Sequence, residues 1–313
     1  MVDNIFDEKI LVTGGTGFLG RNVVGGLLSK GLTPTVLTRN SQTKVFGKAR
    51  TNLNLVEIDL FDYALLSDFL KKFQPDRIIH LAGYTYQTDE HPDVFKKFNY
   101  EATVNLLEAA AAVKVKRIII IGTADEYGFQ NCPHVETMST MPVSEYAVSK
   151  NKAVNHALSL HSTNNLPVVV LRPFTIYGIN QPAKMFVAQA VECAVKNIPF
   201  AMSKGEQKRD LLFVTDFVNA IIKLLTIEGV EGEIFNVGSG KSIALRKLAE
   251  KIWKIAGADE ELLRIGARQT GKNELHDTQA DNSKIRAWLN WEPKISLDEG
   301  LRRVIGQVKK DLK

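Results

Sequence analysis

Residues 10–20 read Ile-Leu-Val-Thr-Gly-Gly-Thr-Gly-Phe-Leu-Gly and decide the fold. An apolar strand pattern runs into spaced glycines, and a helical pattern follows. Glycine permits a tight turn and lets the backbone approach a pyrophosphate, while the start of the helix offers N–H groups and a positive dipole. This context predicts a dinucleotide-binding unit, with a plain tight turn as the alternative. The predicted phosphate contacts are Gly14, Gly17, Phe18, Leu19 and Gly20.

Outward from this stretch, short runs of Ile, Val and Leu alternate with longer helical patterns. The predicted strands are Lys9–Val12, Pro34–Leu37, Leu53–Ile58, Arg77–Leu81, Arg117–Ile121 and Val168–Arg172. The predicted helices are Phe18–Ser29, Tyr63–Phe73, Phe95–Val113 and Tyr146–His161. Because the strands are almost continuously apolar, we expect a parallel sheet that helices cover on both faces. The alternation predicts a Rossmann-type, doubly wound α/β fold.

After Pro173 the alternation of strands and helices becomes less regular, and the tail from Gly240 reads as mostly helical. We expect residues 1–175, with 211–240, to form an NAD(P)-binding Rossmann domain. Residues 176–210 and 241–313 are then a smaller C-terminal α/β substrate domain.

Composition excludes several classes of protein. The 313 residues include two cysteines, Cys132 and Cys193, which are far apart and show no metal-ligand spacing, so no metal site is predicted. No apolar run approaches the ~20 residues that span a bilayer, and the N-terminus lacks the basic start of a signal peptide. The net charge of +5 is mostly spread out. We expect a cytoplasmic protein that binds neither membranes nor nucleic acid.

One stretch is nevertheless strongly basic, because no acid occurs between Glu8 and Glu57. Its basic residues are Lys9, Arg21, Lys30, Arg39, Lys44, Lys48 and Arg50. Since the stretch includes the glycine loop, a phosphate-bearing ligand explains its positive potential more simply than DNA does.

The end of the second strand indicates which dinucleotide binds. NAD-binding proteins place Asp or Glu about 20 residues after the glycines, on the ribose 2′-hydroxyl. Here the strand ends Thr38-Arg39-Asn40, and the Arg39 guanidinium suits a 2′-phosphate. We therefore predict NADP, bound by Arg39 and Asn40, with NAD and a surface arginine as the alternatives. Asp59 and Leu60 are predicted at the adenine, with a helix cap as the alternative for Asp59.

Tyr146 and Lys150 are four residues apart, which places both on one face of a helix. A tyrosine of pKa ~10 is a poor acid–base group at neutral pH, and a neighbouring cation favours the phenolate. We expect Lys150 to lower the Tyr146 pKa and to bind the nicotinamide ribose. Thr123, after the strand Arg117–Ile121, is predicted to hold a substrate oxygen. A chance pair on a solvated helix face is the alternative.

These motifs resemble those of the extended short-chain dehydrogenase/reductase family, in the branch that modifies nucleotide-diphosphate sugars. The resemblance covers nearly the whole chain. Its segments are the glycine loop, Asp59-Leu60, His80-Leu81-Ala82-Gly83, Asn99, Thr123 with Tyr127-Gly128, Tyr146 with Lys150, Arg172-Pro173-Phe174, Arg209-Asp210 and Arg268.

The resemblance implies further contacts. For the cofactor these are Leu81, Ala82, Gly83, Asn99 and Pro173, together with Tyr146 and Lys150. For a nucleotide-diphosphate-sugar they are Tyr84, Thr123, Thr175, Arg209 and Arg268, with both arginines on the diphosphate. Surface ion pairs are the alternative for the arginines. Thr175 stands where many members carry Asn, which weakens its assignment.

The loop Thr123-Ala124-Asp125-Glu126 departs from the pattern of the family's sugar 4,6-dehydratases. Those enzymes usually place Asp-Glu, or a lone Glu, directly after the Thr, whereas here the acids are shifted by one residue. The chain is more similar to the NADPH-dependent 4-keto-6-deoxyhexose reductases of deoxysugar biosynthesis. Tyr146 is then the general acid, with Asp125 and Glu126 as further catalytic candidates or, alternatively, a solvated or capping pair.

Other functions stay open: an NAD-dependent 4-epimerase, a 4,6-dehydratase and a non-catalytic NADP-binding regulatory protein. Two predicted helices, Phe95–Val113 and Tyr146–His161, are apolar on more than one face. The matching helices of the family form a dimer interface, so a homodimer is expected, with burial inside the domain as the alternative. Sugar specificity is expected to lie in Tyr84–His91 and Gly178–Met202.

Overall fold

The computed structural model describes residues 5–47, 53–85, 92–269, 271 and 274–312. Lys48 and Arg50 of the basic stretch, and residues 86–91 of the predicted specificity loop, lie outside this range. The chain divides into two compact units. The first comprises Met1–Glu126, Pro142–Arg172 and Val218–Phe235, and the second comprises Tyr127–Met141, Pro173–Phe217 and Asn236–Lys313. Across the described ranges, no helix is long and apolar enough to cross a membrane.

The first unit is built on a seven-stranded sheet. Its strands are β1 (Ile10–Thr13), β2 (Thr35–Thr38), β3 (Asn54–Glu57), β4 (Arg77–His80), β5 (Arg117–Ile121), β6 (Val168–Pro173) and β10 (Ile234–Val237). They lie in the order β10-β6-β5-β4-β1-β2-β3, and the pairs from β6 to β3 are parallel. The order reverses between β1 and β4, where open α/β sheets bind ligands at the carboxyl ends of their strands. The predicted doubly wound α/β fold is confirmed.

Helices connect these strands. They are α1 (Phe18–Ser29), α2 (Tyr63–Phe73), α3 (Pro92–Phe95), α4 (Ala102–Ala111) and α5 (Glu145–Asn164). Between α3 and α4, Lys96–Glu101 form a π-helical turn, so the helix predicted as Phe95–Val113 contains a wider turn. α5 starts earlier than predicted because Ser144 caps it by accepting the Ala147 N–H, and it ends where Asn165 turns left-handed (φ 54).

The core of the first unit packs branched side chains of the sheet against the helices. Its buried members include Ile78, Ile118, Ile120, Val168, Val170, Leu66, Leu70, Leu106, Leu107 and Val154. Burying each such side chain stabilises the fold by about 1.5–3 kcal/mol before entropy is counted. Leu106, Leu107 and Val154 were also the basis for expecting a homodimer. These three are fully buried within the chain, whereas Ala111 and Ala112, which also suggested a dimer face, are exposed.

The second unit contains two small sheets and most of the remaining helices. Its strands are β7 (Thr175–Tyr177), β8 (Phe200–Met202), β9 (Lys208–Phe213), β11 (Ser242–Ala244), β12 (Leu263–Ile265) and β13 (Asp277–Thr278). One sheet has the order β11-β9-β13, with β7 also paired to β9, and the other pairs β12 with β8. The helices are α6 (Phe186–Lys196), α8 (Leu245–Ala256), α9 (Ser283–Leu289) and α10 (Leu297–Asp311), while α7 (Val214–Thr226) begins here and ends in the first unit.

Candidate active site

In the glycine loop, close backbone contacts leave no room for a side chain at Gly14 or Gly20. Gly14 has φ +67, and a Cβ there would lie 2.4 Å from the Ala82 backbone nitrogen. A Cβ on Gly20 would lie 2.1 Å from the Gly14 carbonyl oxygen. Gly17 is the N-cap of α1, and no side chain caps that helix. The first turn, Phe18 to Gly20, therefore fits the pyrophosphate of a dinucleotide, as the sequence predicts.

A cleft of about 350 Å³ opens beside this loop at the carboxyl ends of β1, β2 and β4. Its lining includes most of the predicted cofactor residues: Gly14, Gly17, Arg39, Asn40, Asp59, Leu60, Leu81, Ala82 and Gly83. Tyr84, predicted to contact the substrate, also lines this cleft. Phe61 and Phe98 line it as well, although no sequence motif pointed to either of them. The lining residues thus come from the switch point of the sheet, where a dinucleotide is expected.

The sequence predicts no acid near the end of β2, but the structure places one there. Arg39 and Asn40 are exposed there, as expected. Glu57, at the end of β3, accepts hydrogen bonds from the Ser41 N–H (3.0 Å) and hydroxyl (2.7 Å), which lower its pKa. An acid therefore lies close to the end of β2, although it comes from the neighbouring strand and does not line the cleft.

Asp59 is not a helix cap, so that alternative is wrong. Its carboxylate accepts the Phe61 N–H at 3.1 Å within the turn after β3. Asp62 caps α2 instead, by accepting the Leu65 N–H at 3.0 Å. Asp59 nevertheless lines the cleft.

Thr123 and Tyr146 are brought together beside the end of β5. The Thr123 hydroxyl forms a hydrogen bond with the Tyr146 phenol, and the Phe95 ring packs edge-on against the Tyr146 ring at 6.1 Å. Lys150 follows on the same face of α5 and is buried. Its Nζ lies 3.9 Å from where a Cβ on Gly83 would be, so Lys150 reaches the loop that lines the dinucleotide cleft.

The pKa of Tyr146 moves in the direction opposite to the prediction. Desolvation raises it most, the Asp125 carboxylate raises it further, and the hydrogen bond from Thr123 opposes them. Burial also lowers the pKa of Lys150 to about 8, against the opposing charge of Glu126. The expected lowering of the Tyr146 pKa is therefore not found, because desolvation and the Asp125 and Glu126 carboxylates dominate it. The phenol is therefore protonated at neutral pH.

Glu126 lies inside the protein, which rules out the solvated interpretation, whereas its bond to the Thr123 N–H just before the short helix Ala124–Tyr127 is a capping contact. Its exposed fraction is 0% and that of its partner Arg172 is 2%, with the Arg172 Nε donating to the carboxylate at 2.9 Å. The other carboxylate oxygen accepts the Thr123 N–H at 2.8 Å. Burial raises the Glu126 pKa, and the charge of Arg172 opposes this. The pair therefore fixes the Thr123 backbone.

A buried chain of hydrogen bonds joins β1, the strand before the glycine loop, to the π-helical turn and α4. The Ala82 N–H donates to the Thr13 hydroxyl (3.3 Å), which lies 2.7 Å from His80 Nδ1. His80 Nε2 lies 2.8 Å from the Thr103 hydroxyl, which donates to the Asn99 carbonyl (2.7 Å). Because Thr103 uses its proton on Asn99, it accepts from Nε2–H, and His80 accepts from Thr13 through Nδ1. The chain therefore selects one neutral tautomer of His80.

His80→Gln is expected to flatten the dependence of unfolding free energy on pH. Desolvation, followed by the charge of Lys150, lowers the His80 pKa to about 3. Below about pH 6.5, His80 binds a proton in the unfolded state but stays neutral in the native state. The free energy of unfolding therefore falls as pH drops. Between about pH 7 and pH 5 this contribution is about 2 kcal/mol, and the variant lacks it. Urea unfolding at both pH values measures the difference; identical pH dependence in both proteins contradicts a buried neutral His80.

Asn99 is fully buried and is not among the residues that line the cleft. Its side-chain oxygen accepts the Tyr84 N–H at 2.6 Å, and its amide donates to the Tyr84 carbonyl (3.1 Å) and the Ser149 hydroxyl (3.0 Å). Ser149 donates in turn to the Tyr146 carbonyl at 2.7 Å. Asn99 therefore ties the cleft loop to the helix that carries Tyr146.

The predicted substrate residues of the second unit lie on its small sheet and loops. Arg209 on β9 forms an ion pair with Glu274 (3.3 Å). Arg268 is exposed, and its N–H donates to the Met202 carbonyl at 3.1 Å. Thr175 starts β7 and Pro173 ends β6.

Comparison with known proteins identifies the family. A family model for the NAD dependent epimerase/dehydratase family matches residues 10–238, from the glycine loop past Tyr146 and Arg209. The chain belongs to the NAD-dependent epimerase/dehydratase family. The predicted resemblance to extended short-chain dehydrogenases that modify nucleotide sugars is confirmed.

Relatives within the epimerase/dehydratase family have several activities. The chain is 29% identical to the UDP-glucuronate 4-epimerase of Thermodesulfobacterium geofontis, with 96% of each chain covered. It is 30% identical to the dTDP-glucose 4,6-dehydratase of Streptomyces niveus, over 94% of this chain and 90% of the relative. Identity to the GDP-6-deoxy-D-mannose reductase of Pseudomonas aeruginosa is 27%, over 95% and 96% of the two chains. These relatives do not distinguish among the three reactions.

Solved structures of the epimerase/dehydratase family bear on the cofactor. The UDP-glucuronic acid 4-epimerase of Bacillus cereus, in complex with UDP-glucuronic acid and NAD, has a TM-score of 0.88 at 25% identity, covering 97% of this chain and 100% of that one. The family therefore uses a nicotinamide dinucleotide.

Proposed function

We propose that the chain reduces a nucleotide-diphosphate-linked 4-keto-6-deoxysugar with NADPH. The observation that carries the proposal is the position of the Tyr146 phenol, hydrogen-bonded to Thr123 and one helical turn from the buried Lys150. Reduction of a ketone needs a proton donor at the oxygen, and a protonated phenol is suited to that role. When bound, NADPH supplies the hydride.

Each side chain then has a defined task. Tyr146 donates its proton to the ketone oxygen as that oxygen gains negative charge. Thr123 holds the same oxygen, because its hydroxyl already lies at the phenol. Lys150 carries positive charge at neutral pH, since its pKa of about 8 leaves most of it protonated, and this charge stabilises the developing phenolate. General acid catalysis of this kind contributes ~10²–10⁴-fold.

The acids after Thr123 support reduction over 4,6-dehydration. Elimination of water needs an acid and a base next to Thr123, and Ala124 can serve as neither. Glu126 is held inside the protein by Arg172 and the Thr123 N–H. Asp125 acts on Tyr146 by raising its pKa, which favours the acid form of the phenol.

NADP is proposed over NAD because Arg39 and Asn40 line the cleft where the 2′ position of the ribose is expected. We expect Arg39→Ala to weaken NADPH binding about 10- to 100-fold, the value of a charged hydrogen bond, and NADH binding less than about twofold. Titration of nicotinamide fluorescence measures both affinities. Equal losses for the two cofactors contradict the NADP assignment.

A 4-epimerase is the second candidate, because similar proteins include 4-epimerases and one of them is solved with NAD. Glu57 also favours it, since an acid near the end of β2 opposes a 2′-phosphate. In this function Tyr146 both removes and returns the proton. The residues proposed for the substrate diphosphate are the same, Arg209 and Arg268.

The experiment that separates these reactions measures NADPH consumption with nucleotide-linked 4-keto-6-deoxyhexoses, and separately with ordinary nucleotide hexoses. The proposal predicts one NADPH consumed per ketosugar and none with the hexoses. Interconversion of nucleotide hexoses without net cofactor consumption contradicts it and supports the epimerase. Formation of a 4-ketosugar with loss of water supports the dehydratase.

A further inference from the structure

A second cation, Lys97, packs against two of the aromatic rings that line the dinucleotide cleft, although Lys97 itself is not among the lining residues. Lys97 lies in the π-helical turn, exposed, with Nζ 4.8 Å from the centroid of the Phe61 ring and 5.8 Å from that of Phe98. The Arg39 guanidinium lies 5.4 Å from the centroid of the same Phe98 ring. Phe61, Phe98 and Arg39 all line the cleft. One aromatic side chain therefore contacts both cations at the cleft edge.

In the part of the chain that the structure describes, no carboxylate forms an ion pair with either cation. Lys96, the residue before Lys97, forms the ion pair with Glu101 at 3.1 Å. Glu57, which pairs with Thr38 in the register of β2 and β3, accepts the two hydrogen bonds from Ser41 and keeps its charge without an ion pair to Arg39. Contact with an aromatic ring orients a cation without cancelling its charge. Both charges are therefore available to an anion.

The π-helical turn gives three consecutive residues three different tasks. Asn99 is fully buried and holds Tyr84 and Ser149, Phe98 lines the cleft, and Lys97 lies exposed over the rings. Wide turns of this kind are frequent at functional sites. The turn thus places a lysine against the rings that line the cleft while a buried amide anchors the same segment.

Neutral polar groups complete the rim. Thr38, Asn40 and Thr43 line the cleft beside Arg39. The side-chain oxygen of Asn40 accepts the Gln42 N–H at 2.9 Å, which leaves its NH₂ group as the donor for a ligand. The ligand that fits this combination is a phosphate monoester attached to an aromatic nucleoside.

We propose that Arg39 and Lys97, which both pack against the Phe98 ring, form a two-cation site for the 2′-phosphate of NADP. The inference rests on the NADP assignment made under the proposed function. A phosphate monoester carries about −1.5 to −2 charge at neutral pH, which one cation only partly neutralises. The guanidinium provides a planar pair of donors, and the ammonium provides a compact point charge.

The test compares the affinities of wild type, Arg39→Met, Lys97→Met and Lys96→Met for NADPH and NADH by nicotinamide fluorescence. Methionine keeps the aliphatic contact with the rings and removes the charge. Lys97→Met is expected to weaken NADPH binding about 5- to 20-fold and NADH binding less than about twofold. Lys96→Met, the neighbouring lysine already paired with Glu101, is expected to change neither by more than about twofold. Added salt reduces the NADPH preference of wild type more than that of Lys97→Met.

The outcomes separate the two claims. A wild type without NADPH preference overturns the cofactor assignment and the two-cation site together. A wild-type preference that Arg39→Met removes and Lys97→Met preserves overturns the role of Lys97 alone. Equal losses for both cofactors in Lys97→Met indicate a packing role and also overturn it. All readouts are binding constants, so a negative screen for ketosugar reduction leaves this result standing.

Discussion

Tyr146→Phe is expected to lower kcat/KM for ketosugar reduction by about 10²- to 10⁴-fold, while the NADPH affinity stays within about threefold of wild type. The change removes one oxygen, and the ring can keep its edge-on contact with Phe95 at 6.1 Å. The variant loses the phenol hydroxyl, which forms a hydrogen bond with Thr123 and is the proposed proton donor. Steady-state rates and fluorescence titration of the same preparations measure both quantities.

A matched control for this variant is Tyr63→Phe. Tyr63 is 46% exposed at the start of α2, so its hydroxyl contributes nothing to the proposed site. Turnover is expected to stay within about twofold in this control. Near-normal turnover in Tyr146→Phe means that another group donates the proton, and the assignment of Tyr146 then fails.

The second large effect is on stability. Arg172→Met leaves the Glu126 carboxylate buried with the Thr123 N–H as its remaining donor. Breaking a buried ion pair from one side costs about 3–5 kcal/mol, because the other charge stays uncompensated. The deficit is expected to shrink as pH falls, since protonation of Glu126, whose pKa burial raises, removes that charge. Urea unfolding at neutral and mildly acidic pH measures the free energies.

Two further variants keep this prediction specific. Adding Glu126→Gln to Arg172→Met removes the uncompensated charge and is expected to recover part of the loss. Arg246→Met breaks an exposed pair with Glu250 (2.8 Å) and is expected to cost less than about 0.5 kcal/mol. A loss below about 1 kcal/mol in Arg172→Met contradicts a structural role for the buried pair.

Local spacing in the sequence was enough to predict the elements and the placement of the main groups. The glycine loop between β1 and α1 was readable because its glycines, strand and helix are adjacent in the chain. The Tyr146 and Lys150 pair was readable because four residues make about one helical turn. β5 and α2 were predicted with their observed bounds for the same reason, a clear local period.

Contacts between distant segments were not readable. Glu126 and Arg172 are 46 residues apart, and His80 and Thr13 are 67 apart, so no local pattern joins either pair. The π-helical turn was missed because its residues also fit an ordinary helix. The pKa of Tyr146 was predicted with the wrong sign because the sequence shows Lys150 nearby but not the burial or the position of Asp125.

The most direct test of the central claim uses NADPH deuterated at the transferring position of the nicotinamide, with a nucleotide-linked 4-keto-6-deoxyhexose. The account predicts one deuterium bound to C4 of the sugar for each NADPH oxidised, and no incorporation in Tyr146→Phe over the same time. A product that carries no deuterium, or conversion that proceeds without oxidation of added NADPH, contradicts it.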